Sequence, residues 1–243
     1  MRNFPKTSLK KYVLSVPDDK KDHEQLAKLG FQWVSLMAKN HIQYECEWFG
    51  VPIIQSPEDI VLMQEIIYKV KPDVILDMGI AHGGSAIFYS SMLELLGKGR
   101  VIGVDIDIRK HNRDVVEKHP FFDRIELIEG SSISCEIVSL VKSKIKPHET
   151  VLISLDSNHT RDHVLEELRK YWPLVPIGSY FIVFDTVTSD MAKSGSADAS
   201  YIDNGPLEAV EIFLKENSHF EKDKHYNKLV IAHTRDGFLK RIN

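Results

Sequence analysis

Cysteine is scarce. The 243 residues hold only Cys46 and Cys135, far apart and in no metal-binding or redox spacing. A disulfide framework is excluded, and the expectation is two buried free thiols in a reducing compartment. Long apolar runs are missing as well. No window approaches the ~20 apolar residues of a membrane span. Residues 1–20 are polar and rich in lysine, without the apolar core of ~7–15 residues that a signal peptide needs, so the chain reads as cytoplasmic. Neither charge is in excess: 31 Lys and Arg against 35 Asp and Glu leave a net charge of −4. No basic field argues for a nucleic-acid partner.

An apolar content of 43% can fill a full core at this length. The simplest parse is an N-terminal arm and helical extension over residues 1–55, followed by one α/β domain over residues 56–243. Within the extension, residues 1–21 read as a loosely held arm. Leu26, Leu29, Trp33, Leu36 and Met37 then recur at helical spacing from Asp22 to about Lys39. They predict a helix laid on the main domain, and one that could serve a homo-oligomer interface. Trp48 and Phe49, between Tyr44 and Pro57, are either core cover or a substrate wall.

Ser56-Pro57-Glu58-Asp59 is a helix start, with an N-cap, a proline at the first helical position and acids in the first turn. Ile60, Met63, Ile66, Ile67 and Val70 give that helix its apolar face, and Pro72 ends it. A β-α alternation follows. Strands are expected at Val74–Leu76, Arg100–Asp105, Arg124–Glu129, Val151–Asp156 and Ser179–Asp185, with helices between them. Such alternation means a parallel sheet with right-handed crossovers, and ligands beyond the carboxyl ends of its strands. Residues 187–204 lack an apolar period and read as a lid or a disordered tip. A helix from Gly205-Pro206 precedes a β-rich tail in which Arg235-Asp236-Gly237 is a hairpin signal.

The first strand runs into Asp77-Met78-Gly79-Ile80-Ala81-His82-Gly83-Gly84-Ser85. A strand, a glycine turn and a helix start make a nucleotide-sized site, because the backbone can approach the ligand and free amides face it. The spacing differs from the dinucleotide fingerprint Gly-x-Gly-x-x-Gly. It is closer to the Asp/Glu-x-Gly-x-Gly-x-Gly turn of S-adenosyl-L-methionine (SAM) methyltransferases, with Ala81 as the middle small residue.

Acids sit at the ends of the expected strands. Asp105 suits a ribose, whose two hydroxyls can donate to one carboxylate; Asp107 competes for that role. Asp156 and Asp185 close the fourth and fifth strands and should converge. Two unpaired carboxylates repel, so either a cation lies between them or one merely caps a loop. Hard oxygen ligands favour Mg²⁺ over zinc. His159, three residues past Asp156, could act as a general base. His163, four residues further and expected on the same helix face, is better read as a packed or capping histidine.

With these residues in place the chain resembles the cephalosporin hydroxylase family, over about residues 45–243. The matching segments are Gly83-Gly84-Ser85, Val104-Asp105-Ile106-Asp107-Ile108-Arg109-x-His111-Asn112-Arg113, Glu129-Gly130-Ser131-Ser132 and Leu155-Asp156-Ser157-Asn158-His159. His163-Val164-Leu165-x-Glu167-Leu168, Gly178-Ser179-Tyr180, Asp185-Thr186, Trp48-x-Gly50-x-Pro52 and Gln64-Glu65 belong to the same pattern. The resemblance implies a Rossmann-like class I SAM-methyltransferase fold: α/β, with a mostly parallel seven-stranded sheet and helices on both faces. It implies a cofactor site of Asp77, Gly79, Ala81, Gly83, Gly84, Ser85, Asp105, Ile106, Ser131, Ser132 and Asp156, with Asp105 on the ribose and the two serines near the adenine. It also implies Mg²⁺ at Asp156 and Asp185. In related catechol-type O-methyltransferases a lysine stands where this chain has His159. Phe184 departs from the pattern, since relatives often carry an acid there, and leaves the metal one ligand fewer.

The expected reaction is methyl transfer from SAM to a hydroxyl of a small-molecule or saccharide acceptor, with Asp156 and His159 as catalytic residues. Two other classes remain in view: an oxidoreductase or hydroxylase on the same sheet, and a non-catalytic SAM-binding regulator.

Overall fold

A computed structural model describes residues 20–243, so most of the expected arm lies outside the described residues. The first helix, α1 (Lys20–Lys39), leads through a 3-10 turn into two short paired strands, β1 (Glu47–Trp48) and β2 (Val51–Pro52). Helix α2 (Pro57–Val70) starts as its sequence dictates. The Ser56 side chain accepts from the Asp59 amide, Pro57 needs no amide partner, and Lys71 closes the far end in a left-handed conformation.

Beyond α2 the chain alternates through β3 (Val74–Met78), α3 (Gly84–Leu96), β4 (Arg100–Asp105), α4 (Lys110–Glu117), β5 (Ile125–Glu129), α5 (Cys135–Ser143), β6 (Val151–Leu155), α6 (Arg161–Tyr171) and β7 (Tyr180–Val183). Then come α7 (Thr188–Lys193), α8 (Pro206–Glu216), β8 (Phe220–Lys222) and β9 (Phe238–Arg241). The seven-stranded sheet runs β5-β4-β3-β6-β7-β9-β8, parallel except for β9.

All five residues of β3 are buried because helices cover both faces. Ile75 joins the core under α2 and α3, whereas Val74, Leu76 and Met78 join the core under α5, α6 and α8. Each such side chain contributes roughly 1.5–3 kcal/mol. From β3 the chain winds outward one way through β4 and β5, and from β6 it winds the other way. A crevice therefore opens above the carboxyl ends of β3 and β6.

The structure corrects four expectations. Helix α1 does lie on the domain, but with the other face. Gly30, Val34 and Ala38 seat against Val230, Ile231, Val187 and Met191, while Leu26, Leu29, Trp33 and Leu36 are 50–59% exposed. A β-carbon at Gly30 would meet the Val230 carbonyl at 2.8 Å. Small residues permit that close approach, so Leu26, Leu29, Trp33 and Leu36 point outward, whereas Met37, the fifth residue of the expected face, is buried as predicted. Residues 187–204 are not structureless: they form α7 and a 3-10 turn at Ala199–Tyr201. The Arg235-Asp236-Gly237 signal is a turn into β9 rather than a hairpin, since β8 ends at Lys222. Cys46 and Cys135 are free, but Cys135 is exposed and Cys46 half-buried. Among the described residues no helix is long and apolar enough to cross a membrane.

Candidate active site

Two cavities share a wall at the crevice, formed by Gly79, Ala81, Asp156, Ser157 and His159. One, of about 450 Å³, is also lined by Asp105, Ile106, Ser131, Ser132 and His163. The other, of about 430 Å³, is walled by Gln55, Gly84, Ser85, Asp185 and His233, with residues from α1 and α7 above. The shared wall depends on Gly79. Its φ is +94°, and a β-carbon there would lie 2.2 Å from the Asp156 carbonyl oxygen. Any other residue would push the ends of β3 and β6 apart.

The glycine turn divides its labour. Gly83 lines neither cavity; a β-carbon there would meet Val116 of α4 at 2.2 Å, so its glycine serves helix packing. Asp77 is set back from both cavities as well. It is fully buried, lines neither cavity, and accepts from Ser85 Oγ at 2.7 Å. Burial pushes its carboxyl up to about 8, against the Ser85 hydrogen bond. Asp77 therefore acts through Ser85, at the start of α3.

Asp105 stands at the cavity edge and shapes the turn, accepting from the amides of Ala81 (2.9 Å) and Asp107 (3.1 Å). Asp107 lines neither cavity and pairs with Arg109 in solvent. Ser132 is buried and donates to Glu167 Oε1 at 2.5 Å. The fully buried Glu167 also takes Ser157 Oγ at 2.7 Å. His163 Nε2 lies 3.1 Å from Ser132 Oγ and 3.3 Å from that carboxylate, which makes it a packed histidine. His159 does not share its helix face, because it sits in the loop before α6.

Asp156 and Asp185 converge as expected, with His159 between them. One ligand atom from each of the three lies within 4.8 Å of the others. His159 Nε2 is 3.3 Å from Asp156 Oδ1 and 3.4 Å from Asp185 Oδ2. Burial alone would lower the imidazole, but the two carboxylates outweigh it and push it up to about 9. Burial raises Asp156 above the usual carboxylate range, whereas His159 and His233 overcome it at Asp185 and hold that group below. Gln55 Nε2 donates to Asp156 Oδ2 at 3.1 Å. Phe184 is buried and apolar beside Asp185 and supplies no ligand.

The two readings of Trp48 and Phe49, core cover or substrate wall, are sorted by burial. Trp48 is core cover: its ring meets Phe88 edge-on at 4.8 Å and its Nε1 donates to Ser91. Phe49 is exposed away from both cavities. Asp59 is 1% exposed, and its carboxylate is taken by the amides of His233 and Thr234.

Sequence reasoning missed His233 and gave no role to Glu167. The i,i+4 spacing of His163 and Glu167 was an available signal for the second. Nothing local marks His233, which meets Asp185 from 48 residues away.

A family model described as Rhamnosyl O-methyltransferase/CmcI matches residues 40–242. A rhamnosyl O-methyltransferase of Mycobacterium leprae is 26% identical over 205 residues, covering 83% of this chain and 86% of its own. One from Mycobacterium bovis is 25% identical over 206 residues, covering 83% and 80%. Among solved structures, CmcI with Mg and SAM superposes with a TM-score of 0.57 at 18% identity, covering 82% of this chain and 78% of that one. An O-methyltransferase from Bacillus cereus bound to SAH gives 0.52 at 14% identity, covering 87% and 86%. By its fold, and by a match over most of its length, this chain belongs to the rhamnosyl O-methyltransferase/CmcI family of SAM-dependent O-methyltransferases.

Proposed function

We propose that this protein transfers the methyl group of SAM to a hydroxyl of a saccharide acceptor, assisted by Mg²⁺. The observation that carries the reading is the meeting of Asp156, His159 and Asp185 on the border between the two cavities. The relatives named rhamnosyl O-methyltransferase support a sugar acceptor, and a CmcI structure that holds Mg and SAM supports both cofactors. The two free thiols support a cytoplasmic setting.

The donor set suits a divalent cation: the carboxylates of Asp156 and Asp185 each place an oxygen within 4.8 Å of the other and of His159. Asp156 and Asp185 would hold it, and bound there it would lower the pKa of an oxygen ligand. SAM supplies a methyl group on a positively charged sulfur. Asp105 would accept from the ribose hydroxyls, and Ile106, Ser131 and Ser132, which line the same cavity, would wall the adenine. His159, once unprotonated, takes the acceptor's proton at Nε2. Such a base contributes about 10²–10⁴-fold in rate. Met191, Ser196 and Ala197, on and after α7, close the acceptor side against water.

Calorimetric titration with SAM, S-adenosylhomocysteine and NAD⁺, with and without Mg²⁺, tests the cofactor assignment. Micromolar binding of SAM or its product, and none of NAD⁺, is expected. Binding of NAD⁺ without SAM overturns the reading.

A further inference from the structure

We propose that His233, anchored by the buried carboxylate of Asp59, is the positioning residue that aims Asp185 into the candidate metal site. The inference rests on the metal reading above. With Phe184 apolar, Asp185 is the sole carboxylate that the end of β7 offers. It also stands in a left-handed backbone conformation, φ +54°, which a non-glycine residue keeps only when its surroundings hold it there.

Two imidazoles grip this carboxylate. His159 Nε2 faces Oδ2, and His233 Nδ1 lies 3.3 Å from Oδ1. Their surroundings differ. His159 lines both cavities and faces Asp156 too. The His233 side chain is 10% exposed, and its Nε2 is sealed from solvent without a partner. That nitrogen cannot serve an acceptor as it stands, which leaves His233 the task of fixing Asp185 through Nδ1–H.

The backbone around His233 is held from two sides. Asp59, at the start of α2, accepts from the amides of His233 (3.0 Å) and Thr234 (3.2 Å), and from Ser56 Oγ (2.8 Å). Thr186, next to Asp185, donates its Oγ1 to the carbonyls of His233 (3.1 Å) and Arg235 (2.5 Å). Gly237 lets this segment lie on the sheet, since a β-carbon there would meet the Val183 carbonyl at 2.1 Å. A carboxylate as buried as Asp59 is costly unless its lone pairs are used, and here two backbone amides use them. The line Asp59, His233, Asp185 thus runs from a rigid helix start to a candidate metal ligand. Groups that orient a metal ligand in this way typically change metal affinity by about 10–100-fold.

Calorimetry of Mg²⁺ and Mn²⁺ binding to the S-adenosylhomocysteine complex of the full chain tests this, with the Mn²⁺ electron paramagnetic resonance signal as a second readout. Wild type is compared with His233→Ala, His233→Asn and His233→Gln. Asparagine keeps an N–H where Nδ1 stands; glutamine carries its amide one bond further out. Ala and Gln are expected to weaken metal binding about 10–100-fold, with S-adenosylhomocysteine affinity and melting temperature unchanged, and Asn to restore most of the loss. Equal binding in wild type and all three variants overturns the positioning role. Equal loss in all three, or loss that tracks a fall in melting temperature, overturns it in favour of plain packing. Wild type that binds neither cation overturns the metal reading itself.

Discussion

Ser85 Oγ donates to Asp77 Oδ2 at 2.7 Å, joining the glycine turn to the first turn of α3 inside the core. Burial holds the Asp77 carboxyl protonated up to about pH 8, against an ordinary 3.8. For an acid raised in this way the folded state binds more protons than the unfolded chain. Its contribution to stability is full below the ordinary pKa and falls as pH climbs toward the folded one. Asp77→Asn keeps the neutral shape and the acceptor for Ser85. Relative to wild type, its melting temperature should rise between about pH 5 and about pH 8. Two parallel melting curves across that range would show that Asp77 is not held neutral.

Asp156 borders both cavities and Asp185 only the one of about 430 Å³. Alanine at either position should abolish turnover while SAM affinity stays within a few-fold, read by activity assay beside calorimetry. Retained turnover in both variants removes the metal-assisted mechanism.

His159→Gln keeps a polar group near both aspartates but cannot take a proton. kcat should fall by about 10²–10⁴-fold with SAM affinity unchanged. A comparable fall in SAM affinity would assign His159 to binding rather than proton transfer.

Asp105 and Asp107 separate two readings of one acidic pair. Asp105→Ala should weaken SAM binding by about 10–100-fold, the worth of hydrogen bonds to a charged acceptor. Asp107→Ala, already paired with Arg109 in solvent, should leave it unchanged. The reverse result would move the ribose contact to Asp107.

The two faces of α1 should respond oppositely. Trp33→Ser lies on the exposed stripe and should stay within about 0.5 kcal/mol of wild type in denaturant unfolding. Val34→Asp puts a charge against Val187 and Met191 and should destabilise strongly. If Trp33→Ser is the more damaging, the outward stripe is covered in solution.

Strand β4 spans Arg100–Asp105 as the sequence predicts, and α2 begins at Pro57 behind its Ser56 cap. Both were legible because the signals are local: a short apolar run, an N-cap, a proline. That Asp156 and Asp185 close strands was legible too, since alternation places both at strand carboxyl ends; that those strands are neighbours was decided by the sheet order. The packing face of α1 was not. Two apolar stripes compete on that helix, and the choice lies with the small residues and the partner surface they fit. Nor was the fate of Asp77, because pattern cannot tell a carboxylate that faces a ligand from one that braces the turn beneath it.

What the sequence determined by itself is whatever depends on neighbours a few residues apart: the β-α alternation, the glycine turn, and the acids at strand ends. Only the tertiary structure decided which polar groups are buried and which meet. Asp59 reaches the His233 amide across 174 residues, and Gln55 reaches Asp156 across 101. Such contacts arise when distant segments fold over the carboxyl ends of the same strands, and burial there sets both the partners and the protonation of each group.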